Sequence, residues 1–156
     1  MRKFFLLATL AFFAGIGSAN AAPLTTQDYQ DIQQLYSTYN ATIDAGDGEG
    51  WAATFTADGQ FMSFNGKDAL VGFVKAWHEK MGGATRRHWN SNLSIKGTAD
   101  GATGSVYLML VDVSGKTIYA TGIYTDTLVK TADGWRFKKR ALKQDTPAAA
   151  AATPPK

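Results

Sequence analysis

Two histidines, 13 acidic side chains and no cysteine make up most of what this 156-residue chain can bring to proton, nucleophile or metal chemistry. His78 opens the run His78-Glu79-Lys80-Met81-Gly82, which lacks the second histidine of a zinc-protease helix, so it reads as a helix-surface residue. Without cysteine there is no thiolate metal site, and neither metal nor cofactor is expected. Neither a Gly-x-Ser-x-Gly elbow nor a phosphate-binding Gly-Lys-Ser/Thr loop occurs, which removes support for serine hydrolysis and nucleotide hydrolysis. Acid-base chemistry remains. Asp44 closes a long helical pattern, where the partial negative charge of the helix terminus acts on its carboxyl group. A carboxyl so placed can take a proton or hold an imidazole in one tautomer. His88 is its natural partner, because imidazole ordinarily titrates near neutrality.

Around His88 the pattern allows two readings. Trp89, Leu93 and Ile95 alternate with His88, Asn90 and Asn92, so simple strand patterning sends the apolar set inward and the histidine outward. If both faces of the sheet are covered, the polar set instead lines a cavity, where Asn90 and Asn92 orient a carbonyl or hydroxyl. Tyr124 and Asp126 share one face of a later strand, directed at a pocket or at a subunit boundary. Trp51, Phe55, Phe61, Phe73, Trp77 and Trp135 are core candidates. Trp51, Phe61 and Trp77 among them could also wall a cavity for a flat, apolar ligand.

The elements that must position these residues follow from periodicity. Tyr29, Ile32, Leu35, Tyr39 and Ile43 fall three or four apart, which predicts a helix over 25–45, opened by a Thr25/Asp28 capping box and stopped by Gly46. A short helical turn holding Trp51 and Phe55, a strand over 60–64 and a turn at Asn65-Gly66 come next. Ala69, Leu70, Phe73, Val74, Trp77 and Met81 predict a second long helix ended by Gly82-Gly83. Strands over 87–96, 104–113, 117–131 and 135–143, separated by Asp100-Gly101, Ser114-Gly115 and Asp133-Gly134, predict an antiparallel meander and an α+β fold. In the second of these strands Val106, Leu108 and Leu110 share one face and Tyr107, Met109, Val111 and Val113 the other, so both faces need cover. Helices supply one cover, and a second copy of the chain is expected to supply the other as a homodimer.

The order of a long helix, Asp47 to Trp51, Phe55 with Asp58, Gly66-Lys67-Asp68-Ala69, Arg87-His88, Gly122-Ile123-Tyr124-Thr125-Asp126 and Asp133-Gly134-Trp135-Arg136 resembles the SnoaL-like family of the NTF2-like superfamily over residues 26–145. That resemblance implies a cone: a curved antiparallel sheet wrapped around N-terminal helices, with an internal pocket. It also likens Asp44 and His88 to the Asp-His dyad of the scytalone dehydratase branch, which works with oxygen-polarising tyrosines. Here Ile43 precedes Asp44 where that branch carries a tyrosine, and no second histidine follows in the later strands. Because the fold serves enzymes, carriers and interaction domains alike, two functions are kept open. One is a pocket for a small, largely apolar molecule with cofactor-free proton transfer of isomerase, dehydratase or cyclase type. The other is a non-catalytic ligand-binding or protein-interaction domain.

The ends bear on location. Met1-Arg2-Lys3, the apolar run from Phe4 to Gly17 and Ala19-Asn20-Ala21 have the three parts of a cleavable signal peptide over 1–21. The run is shorter than the roughly 20 residues of a membrane span, so the expectation is a bacterial periplasmic or secreted protein with no stable anchor. Cleavage leaves 14 basic against 13 acidic side chains, which gives no electrostatic reason to expect nucleic acid. The basic run Arg136-Phe137-Lys138-Lys139-Arg140 reads as a solvated strand edge guarded by charge. Residues 146–156 are an Ala/Pro-rich tail of disordered composition.

Overall fold

The structure is a computed structural model that describes residues 23–145, and the signal peptide and tail expected from the sequence lie outside the described residues. Helix α1 (Thr26–Ala45) opens on the capping box: Thr25 Oγ1 accepts from the Asp28 N–H while the Asp28 carboxylate accepts from the Thr25 N–H. Asp28 does more than cap. It also accepts from Trp135 Nε1 at 3.0 Å and Lys130 Nζ at 2.7 Å, pinning the start of the helix to the last hairpin. The Lys130 ammonium, followed by the Thr25 bonds, holds its carboxyl well below the usual carboxylate range. At the other end Gly46 takes the left-handed conformation, φ 73°, and its N–H returns to the carbonyls of Ile43 and Thr42. Ile32, Leu35, Tyr36, Tyr39 and Ile43 bury one stripe of α1 against the sheet.

Helix α2 (Gly48–Ala52) seats Trp51, strands β1 (Phe55–Phe61) and β2 (Phe64–Asn65) follow, and α3 (Lys67–Lys80) buries Leu70, Val74 and Trp77. A 3₁₀ turn over Gly83–Thr85 leads into β3 (Arg86–Thr98), β4 (Gly101–Asp112), β5 (Thr117–Thr131) and β6 (Gly134–Gln144). These strands form one curved sheet in the order β2-β1-β6-β5-β4-β3, with the helices on its concave side. Two local expectations need correcting. Phe55 starts a strand rather than ending a helical turn, and the strand expected over 60–64 is broken by Met62 at φ 53°, which turns the chain between β1 and β2. The sheet is also mixed: β3 to β6 form the expected meander, but β1 runs parallel to β6. A helix and four strands separate β1 from β6 in the chain, leaving enough connection for a parallel pairing that a tight hairpin forbids.

Three bulges decide which side chains face the helices. In β3, Ser91 pairs with Tyr107 but Ser94 pairs with Ser105, so Asn92 and Leu93 together oppose Val106. Asn92 sits at φ 56°, a left-handed conformation that asparagine tolerates better than most residues. The inserted residue reverses the alternation, so His88 and Asn90 turn inward on one side of the bulge and Leu93 and Ile95 on the other. In β5 the shift between the Ala120 and Ile118 pairings inserts Tyr119. In β6, Phe137 pairs with Leu128 and Lys139 with Thr127, so Lys138 is the extra residue, and Arg140 and Leu142 then face inward. The sequence expectation for the basic run is thereby overturned: β6 is an interior strand of the sheet, and Arg140 is 0% exposed.

Candidate functional site

The end of α1 and the start of β3 meet at Asp44 and His88. The Asp44 carboxylate accepts twice from one residue: Oδ2 from the His88 backbone N–H at 3.0 Å and Oδ1 from His88 Nδ1 at 2.6 Å. An ionised carboxylate only accepts, so the ring proton lies on Nδ1 and Nε2 is the nitrogen left for the cavity. Tyr39 meets the imidazole edge-on at 6.5 Å and Trp77 packs at 6.3 Å, so the ring is held by packing as well as by the carboxylate. The juxtaposition joins residues 44 positions apart in the chain.

His88 opens into a cavity of about 310 Å³ walled by α1, α3, the β1–β2 turn and strands β4 to β6. Ile43, Phe61, Phe73, Trp77, Leu108 and Leu110 supply apolar wall, Met62, Met81 and Tyr119 belong to its exposed rim, and His88, Tyr124 and Gln144 bring polar groups. A roomier groove of about 470 Å³ runs between α1 and the β5–β6 hairpin. It is more open and more polar than the His88 cavity, and neither member of the acid-base pair lines it. The smaller, more enclosed and aromatic cavity is the better site for a small apolar molecule.

Of the residues expected to bind ligand, Phe61, Trp77 and Tyr124 line this cavity. Trp51 stands behind it, wholly buried and stacked between Tyr39, Phe55, Phe61 and Phe73. Asn90 and Asn92 face a different groove, between α1 and the β3 bulge. Both ends of the Asn90 amide are already used, accepting from Asn40 Nδ2 at 2.7 Å and donating to the Tyr107 carbonyl at 3.1 Å, while Asn92 is committed to the bulge. Asp126 turns away from the cavity: its Oδ2 accepts from the Tyr36 hydroxyl at 2.5 Å, and burial pushes its carboxyl up while Arg140 and Tyr36 oppose that rise. Periodicity had no means of finding Tyr119, Leu142 and Arg140, because Tyr119 is itself an inserted residue and the other two follow one, and no spacing rule announces an insertion. Among the described residues no three or more His, Asp or Glu side chains gather in a metal-binding group.

The SnoaL-like domain model matches residues 25–141, nearly all of the described chain. The chain belongs to the SnoaL-like domain family. Solved structures place this SnoaL-like protein among NTF2-like, cystatin-like folds. It is similar to a Nostoc punctiforme protein of unknown function with a cystatin-like fold, at 27% identity and a TM-score of 0.74 over 83% of this chain and 98% of that one. A Mycobacterium tuberculosis protein of unknown function is 30% identical, with a TM-score of 0.71 over 81% and 84% of the two chains. An NTF2-like protein from Novosphingobium aromaticivorans shares the fold at 20% identity, with a TM-score of 0.70 over 81% and 86%. No curated protein matches the chain. Within this SnoaL-like scaffold Ile43 supplies apolar wall immediately before Asp44, and Tyr124, with Tyr119 at the exposed rim, brings a phenol to the cavity.

Proposed function

We propose that this SnoaL-like domain binds a small, largely apolar molecule carrying a carbonyl or hydroxyl group and moves a proton on it without a cofactor. The observation that carries the reading is the 2.6 Å Asp44–His88 contact at the wall of an aromatic cavity. His88 Nε2 would accept a proton from the ligand while the Asp44 carboxylate stabilises the imidazolium that forms, and the apolar walls exclude competing water. A second reading, a ligand-binding domain without chemistry, is favoured by the presence of Ile43 and by how few polar groups line the cavity.

Deuterium exchange separates the two. With a bicyclic ketone such as 2-tetralone in D₂O, the protein is expected to accelerate loss of the α-proton NMR signal and His88→Gln to lose at least roughly a hundredfold of that acceleration. Ligand-induced shifts at His88 without acceleration would favour the binding domain. Neither shifts nor acceleration with any bicyclic ketone or phenol would sink the pocket reading.

The convex face of the sheet supports a homodimer as part of the same reading. Trp89 and Met109 are cross-strand partners, as are Tyr107 with Ile123 and Val111 with Ile118, and Trp89, Tyr107 and Ile118 are 57%, 48% and 61% exposed in the single chain. An apolar stripe of this kind is self-complementary about a two-fold axis. Sedimentation at roughly micromolar concentration is expected to give a dimer, and Trp89→Lys with Tyr107→Lys a folded monomer. A monomeric parent chain would exclude it.

A further inference from the structure

The mouth of the cavity carries sulfur that the acid-base pair does not use. The chain has four methionines and no cysteine, so thioethers are its only oxidisable sulfur. Met1 falls in the expected signal peptide, and of the other three, Met62 and Met81 line the His88 cavity while Met109 does not. Met62 comes from the turn between β1 and β2 and is 44% exposed, and Met81 ends α3 and is 51% exposed. Met109 is half-buried on the convex face, opposite Trp89.

The sheet places Met62. Its N–H donates to the Arg140 carbonyl at 3.0 Å, which is the next rung of the parallel β1–β6 ladder. Had the ladder continued, the Leu142 N–H would go to the Met62 carbonyl. At φ 53° the chain has already turned, and that carbonyl accepts from Gln60 Nε2 at 2.6 Å instead. The Leu142 N–H therefore goes to Met62 Sδ at 3.0 Å, a weak acceptor standing where a carbonyl oxygen would ordinarily be. Met81 is fixed through its backbone: its N–H donates to the Trp77 carbonyl and its own carbonyl accepts from Arg86 Nη1. Arg86 in turn stacks on Tyr119, the third member of the rim.

We propose that Met62 and Met81 form a reversible oxidation site, and that their conversion to sulfoxides weakens the hold of the cavity on apolar ligands. The proposal rests on the pocket reading above and adds a regulation to that site. The co-reactant is hydrogen peroxide. A sulfur lone pair attacks one peroxide oxygen, the O–O bond breaks, and the other oxygen departs as water after proton transfer. Sulfur loses two electrons and the peroxide gains them. Return to the thioether takes two thiols, which become a disulfide while the sulfoxide oxygen leaves as water. A sulfoxide oxygen on Met62 meets the Leu142 N–H already in place, so the sheet keeps its contact there. At the rim a flexible apolar side chain becomes a polar one, and a ligand that covers it must take the new oxygen out of water.

The test treats the purified mature chain with dilute hydrogen peroxide, locates the added oxygen by peptide mass spectrometry, and titrates 2-tetralone against the NMR signal of the Trp77 indole in the cavity wall. Met62 and Met81 are expected to gain oxygen before Met109, and the dissociation constant for 2-tetralone to rise about tenfold, as expected when a polar group is desolvated. Methionine sulfoxide reductases specific for the two epimers are expected to restore the original affinity. The double variant Met62→Leu with Met81→Leu is expected to bind 2-tetralone before treatment and to be insensitive to peroxide. If that variant does not fold by circular dichroism, reversal by the reductases, followed peptide by peptide at Met62 and Met81 in the parent chain, decides the matter. Unchanged affinity with both methionines oxidised overturns the proposal and leaves the pocket reading standing. A loss of affinity that tracks Met109, or that survives in the double variant, also overturns it. If the untreated chain binds no bicyclic ketone, the pocket reading and this proposal fall together.

Discussion

The Asp44→Ala variant is expected to lose both stability and His88-dependent chemistry. Its carboxylate accepts the backbone N–H and the Nδ1–H of His88, and removing it strands two donors at a largely buried place. Each stranded donor costs about 1–3 kcal/mol, which urea unfolding would register as a lower midpoint. Acceleration of α-proton exchange is expected to fall at least roughly a hundredfold, because the imidazole loses both its tautomer and its counter-charge. Asp44→Asn separates the effects: an amide oxygen still accepts one N–H and preserves more of the fold, but supplies no negative charge to an imidazolium. An Asp44→Ala protein with unchanged stability and unchanged His88 ring nitrogen shifts would show that the two side chains are not coupled in solution.

Deleting Asn92 is expected to be more damaging than any single side-chain change in β3. The bulge lets His88 and Asn90 face inward together with Leu93 and Ile95, which lie on the other side of the inserted residue. Without it the strand must choose between turning His88 away from Asp44 and turning Leu93 and Ile95 out of the core. Losing the two apolar contacts costs on the order of 3 kcal/mol or more, and losing the polar ones abolishes the site. The substitutions Asn92→Gly and Asn92→Val refine the point. Glycine adopts φ 56° without strain and is expected to be neutral or mildly stabilising, whereas valine is expected to cost about 1–2 kcal/mol. Denaturant unfolding together with the His88–Asp44 coupling seen by NMR would check the series, and a deletion variant that retains both would refute the role given to the bulge.

Much of the fold was legible in the chain because its signals are local. The Thr25/Asp28 box and Gly46 bound α1 where expected, and of the stripe read there Ile32, Leu35, Tyr39 and Ile43 are buried while Tyr29 is exposed. The glycine-containing turns at Asp100-Gly101, Ser114-Gly115 and Asp133-Gly134 separate β3 to β6 as read. Asp44 and His88 were likewise visible by residue type, since few other groups in the chain could serve acid-base chemistry. What spacing could not supply was the facing of residues beyond an inserted one: alternation read straight through β3 put His88 outside, and the basic run of β6, read as a charge-guarded strand edge, put Arg140 in solvent. Parallel pairing of β1 with β6 was also beyond local pattern, because it depends on which strand edge remains free after the meander closes over the helices.

The sequence by itself determined the element order, the helix caps, the core stripe and the short roll of titratable candidates, since each arises from interactions among residues within a few positions of one another. The tertiary structure alone decided that Asp44 reaches both N–H groups of His88, that Asn90 and Asn92 serve α1 and the bulge rather than the cavity, and that Arg140 lies beneath Tyr124. The physical reason is that a strand has a period of two, so a single bulge exchanges inside for outside along everything beyond it, and a bulge is held in place by packing against helices far away in the chain.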